Sequence, residues 1–295
     1  MSPVSDNAKG IFLAAGGVVA LSPDSLLIRM IDLDLWTLAF LRGLFIAAFL
    51  SLWLGWVHGI RKRGWHDVRR LFHFDAPGWG MAVSMSVGMT AFVAAIQTTS
   101  VAHTLIIVGS IPIITALLAF LVLGEAVDRR TRITMVVVFI CLIAVTGEKG
   151  GESTLRGDFY ALLASLAMAF NFVLARRTRV ADRLATVALG GLLIALGCLP
   201  VADLSQVSPG ELGLAAMLGV FVATAYSLLM LAPRFVPAAE VAVFLPLETV
   251  LGTALVWLIL GERPSPVAAI AGLGVVLAIM LNSHLKLRSF GARFR

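Results

Sequence analysis

Charge is scarce in this chain: Asp, Glu, Lys and Arg together make up only 14% of its 295 residues, where soluble domains carry about 25%. Set against the chain's apolar excess, the shortage excludes a cytosolic enzyme and a nucleic-acid-binding domain, and the net charge of +6 matters through where the cations lie. Cysteine is nearly absent. Cys141 and Cys198 are the only two, both inside apolar runs, which reads as buried small hydrophobes and excludes a secreted disulfide scaffold. Lysine occurs four times (Lys9, Lys62, Lys149, Lys286), never within a long apolar stretch, so no amine stands at membrane depth for a Schiff base. The chain has no GxxxxGK[ST] loop, and ATP hydrolysis is therefore not intrinsic to it. Neither HExxH nor a paired Cys/His spacing marks a metal site, and no cofactor is implied. An intramembrane enzyme would need a nucleophile and a base within reach of each other. Ser110 and His103 stand about two helical turns apart, too far for contact, so the sequence predicts no enzyme.

What the chain does have is apolar length. Some 59% of its residues are hydrophobic and its mean hydropathy is +0.96. One core cannot absorb this excess, because chains beyond roughly 250–300 residues split into domains instead of growing a larger core. Lipid must be the solvent for most of it. Ten stretches approach the length of about 20 apolar residues that a membrane helix needs: 10–31, 36–58, 77–98, 100–123, 132–148, 157–178, 184–202, 211–232, 239–260 and 265–283. The first could pass for a signal peptide, but Leu26-Leu27-Ile28 resumes the run past Ser22-Pro23-Asp24. The runs do not alternate and are about twice the length of barrel strands. The expected fold is an all-α membrane protein of ten transmembrane helices, with no soluble domain left over.

Cations orient it. With the N-terminus in the cytoplasm, 18 of the 23 Lys and Arg fall in cytoplasmic segments, and only Lys149, Arg156 and Arg263 fall outside. Positive residues concentrate on the cytoplasmic side, so both termini are expected there, with 284–295 a basic cytoplasmic tail. Trp36, Trp53, Trp56, Trp79 and Trp257 sit near span ends, as interfacial aromatics do.

The two halves repeat. Leu118–Glu125 reads LAFLVLGE and Leu255–Glu262 reads LVWLILGE. Gly10, Phe12, Asp24, Leu27 and Arg29 align with Gly157, Phe159, Asn171, Leu174 and Arg176. Equivalent elements are five spans apart, an odd number, so the second half must be inverted. The repeats are expected over 10–148 and 157–283, the arrangement typical of secondary transporters.

Two sets of five spans, each fourth span ending in Leu-Gly-Glu, resemble the drug/metabolite transporter superfamily, in particular its ten-helix EamA-type branch. The likeness extends to Phe40-Leu41-Arg42 in span 2, Ser110-Ile111-Pro112 in span 4 and Leu247-Glu248 in span 9. Within that branch the chain is similar to YddG-like amino-acid exporters. One departure is visible: the family often has Pro after the span 9 Glu, whereas Thr249 stands there and the proline is Pro246. The resemblance implies export of small metabolites, commonly amino acids, across a bacterial inner membrane. A channel or facilitator for small polar solutes, and an intramembrane assembly factor, are the alternatives. Saturable flux with counterflow separates a transporter from a channel.

Polar residues inside the spans are the candidate site. Asp24 and Arg42 lie at matching depth on either side of the 32–35 turn, roughly 12–14 Å below the surface. They are expected either to pair structurally or to leave Asp24 facing substrate. Arg29, nearer the surface, is expected to snorkel outward. Glu248 is the deepest acid, a candidate for substrate binding or proton coupling, or a neutral hydrogen-bonding group. Asn171 and Tyr226 can tie helices together or line a pocket. His103 reads as capping or interfacial, and Glu240 as offsetting a helix dipole. Pro112 and Pro246 interrupt spans 4 and 9, and broken helices near the midplane point to transporter sites. Gly16, Gly17, Gly88, Gly109, Ser110, Gly190 and Gly191 read as close-packing positions. Together Asp24, Asn171, Tyr226, Ser110, Pro112, Pro246 and Glu248 are expected to wall one cavity. Asp24, Glu248 and freed carbonyls would hold a substrate ammonium; Asn171 and Tyr226 would hold its carboxylate.

Overall fold

A computed structural model describes residues 3–60, 74–98, 104, 107–147, 154–178, 180–260 and 266–292. The positions expected for His103, Lys62, Lys149 and Glu262 lie outside the described residues, as does the side chain of Arg29. Among the described residues, each of the ten apolar stretches is mainly helical. Span 1 is α1 (Pro3–Leu21) followed by α2 (Asp24–Met30), and spans 2 and 3 are α3 (Leu35–Ile60) and α4 (Ala76–Thr98). Spans 4 and 5 are α5 (Ile111–Leu123) and α6 (Arg129–Gly147). Spans 6, 7 and 8 are α7 (Leu155–Arg177), α8 (Val180–Cys198) and α9 (Pro209–Leu231). Span 9 divides into α10 (Ala238–Ala242) and α11 (Pro246–Leu260), and span 10 is α12 (Pro266–Ala292). No strand occurs among the described residues. Six of these stretches are long and apolar enough to cross a membrane, and α5, α8 and α12 contribute shorter apolar runs. The last helix runs to Ala292, so most of the basic segment after 284 continues it.

The ends of the helices follow from local chemistry. Ser208 caps α9 reciprocally with Glu211, and Thr154 caps α7 by accepting from the Gly157 amide. Arginines then close helix C-termini that share one end of the bundle. Arg177 donates to the Val122 carbonyl at the end of α5 (2.7 Å), and Arg176 to Pro233 just past α9 (2.7 Å). Arg183, buried, donates to Met230 (3.0 Å) and Thr178 (3.3 Å), while Arg130 reaches Leu285 on α12 (3.3 Å). Cations at helix C-termini each contribute about 0.3–1 kcal/mol. At the opposite end, Thr154 donates to Thr98, and the Asp203 amide donates to Thr37 Oγ1 (2.8 Å). One face thus gathers the ends of α5, α7, α9 and α12 with the beginnings of α6 and α8. The other gathers the starts of α3 and α7 with the ends of α4 and α8. The helices alternate in direction.

Packing reveals the repeat. Span 3 packs on span 6 (α4 on α7) and span 1 on span 8 (α1 on α9), while 2–7, 4–9 and 5–10 also pair (α3–α8, α5–α10, α6–α12). Exchanging each span with the one five places later turns the first pair into the second and returns the other three unchanged. That is a pseudo-two-fold operation. Its axis passes near Gly43 and Gly191, on α3 and α8. A Cβ on Gly43 would fall 2.6 Å from the Gly191 carbonyl and 2.8 Å from the Ala195 amide nitrogen. One on Gly191 would fall 2.8 Å from the Gly43 carbonyl and 3.0 Å from the Ala47 amide nitrogen. The contacts are reciprocal because Gly43 and Gly191, like Ala47 and Ala195, are repeat equivalents. Only glycine permits so close a backbone crossing.

The core is the seam between the repeats, where Leu38, Ile46, Met81, Met85, Phe172, Leu218 and Leu229 are fully buried. Leu52, Leu121, Leu258 and Ile270 stand exposed on the outside, an apolar belt suited to lipid. The five tryptophans are part of that exposed surface.

Candidate functional site

The Leu-Gly-Glu end of span 4 has a structural reason for each residue. Gly124 adopts φ 68°, the left-handed C-cap that glycine takes without strain. The amides of Gly124 and Glu125 then return to the carbonyls of Phe120 (3.0 Å) and Ala119 (3.2 Å). The reversal aims Glu125 at α7, where Arg176 Nε donates to its Oε1 at 2.7 Å and Nη2 donates to the same oxygen. This ion pair joins the first repeat to the second. It was not expected from the sequence, although the repeat alignment and the Gly-Glu motif had marked both residues.

At the centre, Arg42 Nη2 donates to Asp24 Oδ2 at 2.9 Å, with both side chains almost wholly buried. The break that places Asp24 is local: α1 ends at Leu21, Ser22 Oγ turns back onto the Val19 carbonyl (2.7 Å), and Pro23 precedes the first turn of α2. Asp24 Oδ1, Arg42 Nε and Arg42 Nη1 have no hydrogen-bond partner. Tyr226 and Glu248 lie within electrostatic reach of this pair. Four helices bring the groups together, with α9 packed on both α2 and α3, and α11 packed on α2. Tyr226 is buried and its hydroxyl donates to Met168 Sδ on α7 at 3.6 Å, whereas Glu248 is half-buried.

The remaining candidates stand apart from this cluster in their bonding. Asn171 is buried on α7, where its Nδ2 donates to the Met81 carbonyl (2.7 Å) and Ser84 Oγ (3.2 Å) of α4. That uses both amide hydrogens for an interhelical tie. Its free atom, Oδ1, is an acceptor and has nothing to offer a carboxylate. Ser110 stands at the N-cap position of α5 without capping it by its side chain: the hydroxyl turns onto the Ile107 carbonyl (2.5 Å), which Ser165 of α7 also reaches (3.1 Å); Pro112 follows, buried, in the first turn. In span 9 the interruption lies at 243–245, just before Pro246. The carbonyl of Ala242 that the proline frees accepts from the Leu245 amide (3.0 Å), within a run of three-residue bonds that continues to Glu248. The freed carbonyl is therefore occupied by the chain itself. Among the described residues no group of three His, Cys, Asp or Glu could hold a metal.

Two helical repeats exchanged by a pseudo-two-fold, each with a broken fourth span, around a buried polar centre, define an inverted-repeat membrane protein of the transporter kind. A family model described as "EamA-like transporter family" matches residues 8–147 and again 155–284. The chain belongs to the EamA-like transporter family of the drug/metabolite transporter superfamily, whose members are membrane transporters of small solutes. No match was found among curated proteins. A solved crystal structure superposes with a TM-score of 0.79 over 96% of this chain and 98% of its own, at 15% identity, which shows a shared fold.

Proposed function

We propose that the chain is a secondary transporter that exports small polar or amphipathic metabolites, amino acids first among them, across a bacterial inner membrane. The observation that carries this reading is the cluster of buried Asp24, Arg42 and Tyr226 with half-buried Glu248 where α2, α3, α9 and α11 meet, beside the interruptions of spans 1 and 9. Ionisable groups inside a membrane are costly and are kept where a solute or ion passes. The repeats 10–148 and 157–283 act as the two bodies that rock against each other, opening the cluster to either side in turn. Lys9, the arginines of α6 and α8, Arg176, Arg177 and Arg234 face the cytoplasm, and both termini with them. Ser110, Pro112 and Pro246 set the two broken spans that flank the path, Asn171 ties α7 to α4 behind it, and Glu248 is its candidate proton carrier.

The test is flux. Purified protein in liposomes is loaded with a panel of radiolabelled amino acids, and efflux is followed with and without a pH gradient. Saturable efflux of at least one amino acid above empty liposomes, with counterflow, is the expected result. Unsaturable conductance would make the chain a channel, and no amino-acid flux at all removes the substrate class.

A further inference from the structure

Arg42 is held by one hydrogen bond and leaves most of its donors unused. Its side chain is 4% exposed, its Nη2 binds a single oxygen of Asp24, and its Nε and Nη1 make no hydrogen bond. The two hydrogens of Nη2 point to different edges of the guanidinium, one shared with Nε and one shared with Nη1. Whichever hydrogen Asp24 takes, one complete two-donor edge stays open. A planar two-donor edge is complementary to a carboxylate, which it binds through two parallel hydrogen bonds. A buried guanidinium with an open edge is costly unless a ligand completes it.

The surroundings narrow the ligand further. Two carboxyl groups belong to this centre: Asp24, bonded to Arg42, and Glu248, in the first turn of α11, which packs on the α2 helix that Asp24 begins; Asp24 Oδ1 is also without a partner. A purely anionic solute would fill the Arg42 edge but meet both acids, and a purely cationic one would leave the edge empty. A zwitterion satisfies both. Arg42 also precedes Gly43, at the crossing of α3 and α8 on the pseudo-two-fold axis, so it sits at the seam the two repeats share. Asn171, the other candidate donor, has both amide hydrogens engaged.

We infer that Arg42 is the carboxylate anchor of the transport site, and that the solute it takes carries a carboxylate and an ammonium on one small skeleton. Asp24 Oδ1 and Glu248 receive the ammonium. The inference rests on the transport reading above, and its test keeps the two apart. Glycine, leucine, phenylalanine, lysine and glutamate are each compared with their carboxamides, by thermal stabilisation of the purified full chain and by flux in liposomes. At least one acid is expected to stabilise the wild type while its amide does not. Arg42→Gln should weaken the apparent affinity for that acid about tenfold or more, with Arg42→Lys intermediate. Asp24→Asn with Arg42→Gln removes both charges of the pair, leaves neither buried alone, and should fold at least as well as the single variant while showing a loss at least as large. Equal stabilisation by acid and amide, no stabilisation by any of the five acids, or wild-type acid affinity in the double variant overturns the anchor. Acid-dependent stabilisation without flux keeps the anchor and removes the transport reading; flux of amides but not of acids does the reverse.

Discussion

Arg176 and Glu125 stand 51 residues apart in sequence and in different repeats, yet their side chains join the end of span 4 to the end of span 6. The pair is about a quarter exposed, so removing one partner leaves the other largely desolvated. Glu125→Gln and Arg176→Gln should each lower the melting temperature, and the double variant should lose less than the sum, with a coupling of about 1 kcal/mol. Strict additivity across this cycle would mean the pair contributes nothing. Asn171→Ala should cost about 0.6 kcal/mol, and at most about 1.7, the range for hydrogen bonds between membrane helices. Thermal unfolding in detergent reads that loss, and substrate affinity in flux assays should stay near wild type; a large affinity change would return Asn171 to the cavity wall. Sequence reading reached such residues unevenly. The Asp24–Arg42 pairing is legible because both residues lie the same distance from one short turn, and depth can be counted along a helix. The Arg176–Glu125 pair is not legible, because which residues meet across a repeat boundary depends on how the halves dock. The same limit hides the two bonds that commit the Asn171 amide to α4.

The broken spans show what a helix does when it loses a donor. Pro246 cannot supply an amide, and in an uninterrupted helix the carbonyl of Ala242 would be orphaned. The chain instead tightens over 243–248, and the Leu245 amide takes that carbonyl. Pro246→Ala restores the missing amide and allows span 9 to run as one helix from 238 to 260. The expected outcome is a melting temperature no lower than wild type with transport slowed severalfold. A lower melting temperature with unchanged transport would reduce Pro246 to a favourable first residue of α11. Proline and apolar length made the helices and their interruptions readable beforehand, since both are local properties. The re-bonding was not readable, because the sequence records the absent donor and says nothing of its replacement. Gly43 was missed for a related reason: a lone glycine in a leucine-rich helix signals close approach only once its partner helix is known, while Gly191 was marked by the neighbouring Gly190.

Sidedness belongs to the whole molecule. With Cys141 and Cys198 replaced by Ser, a cysteine at Arg129 should react with an impermeant maleimide only after lysis. One at Leu155, which is 92% exposed at the opposite end, should react on intact spheroplasts. The reverse pattern would invert the molecule in the membrane. The repeat, the alternation of helices and the apolar belt were legible in the sequence because inversion follows from an odd number of spans; the location of the axis was not. That axis has an energetic consequence. Gly43 and Gly191 exchange places under the pseudo-two-fold, so their crossing presents the same contacts whichever way one half tilts on the other. It therefore contributes equally to an inward-facing and an outward-facing form, and cannot favour either. Gly43→Val or Gly191→Val should cost about 1–3 kcal/mol by overpacking and slow exchange between the two forms, while the proportion facing each side stays as in the wild type. Arg176–Glu125 lies at one end, so its loss should shift that proportion. A bearing at the centre and a catch at the rim are thereby distinguishable by cysteine accessibility alone.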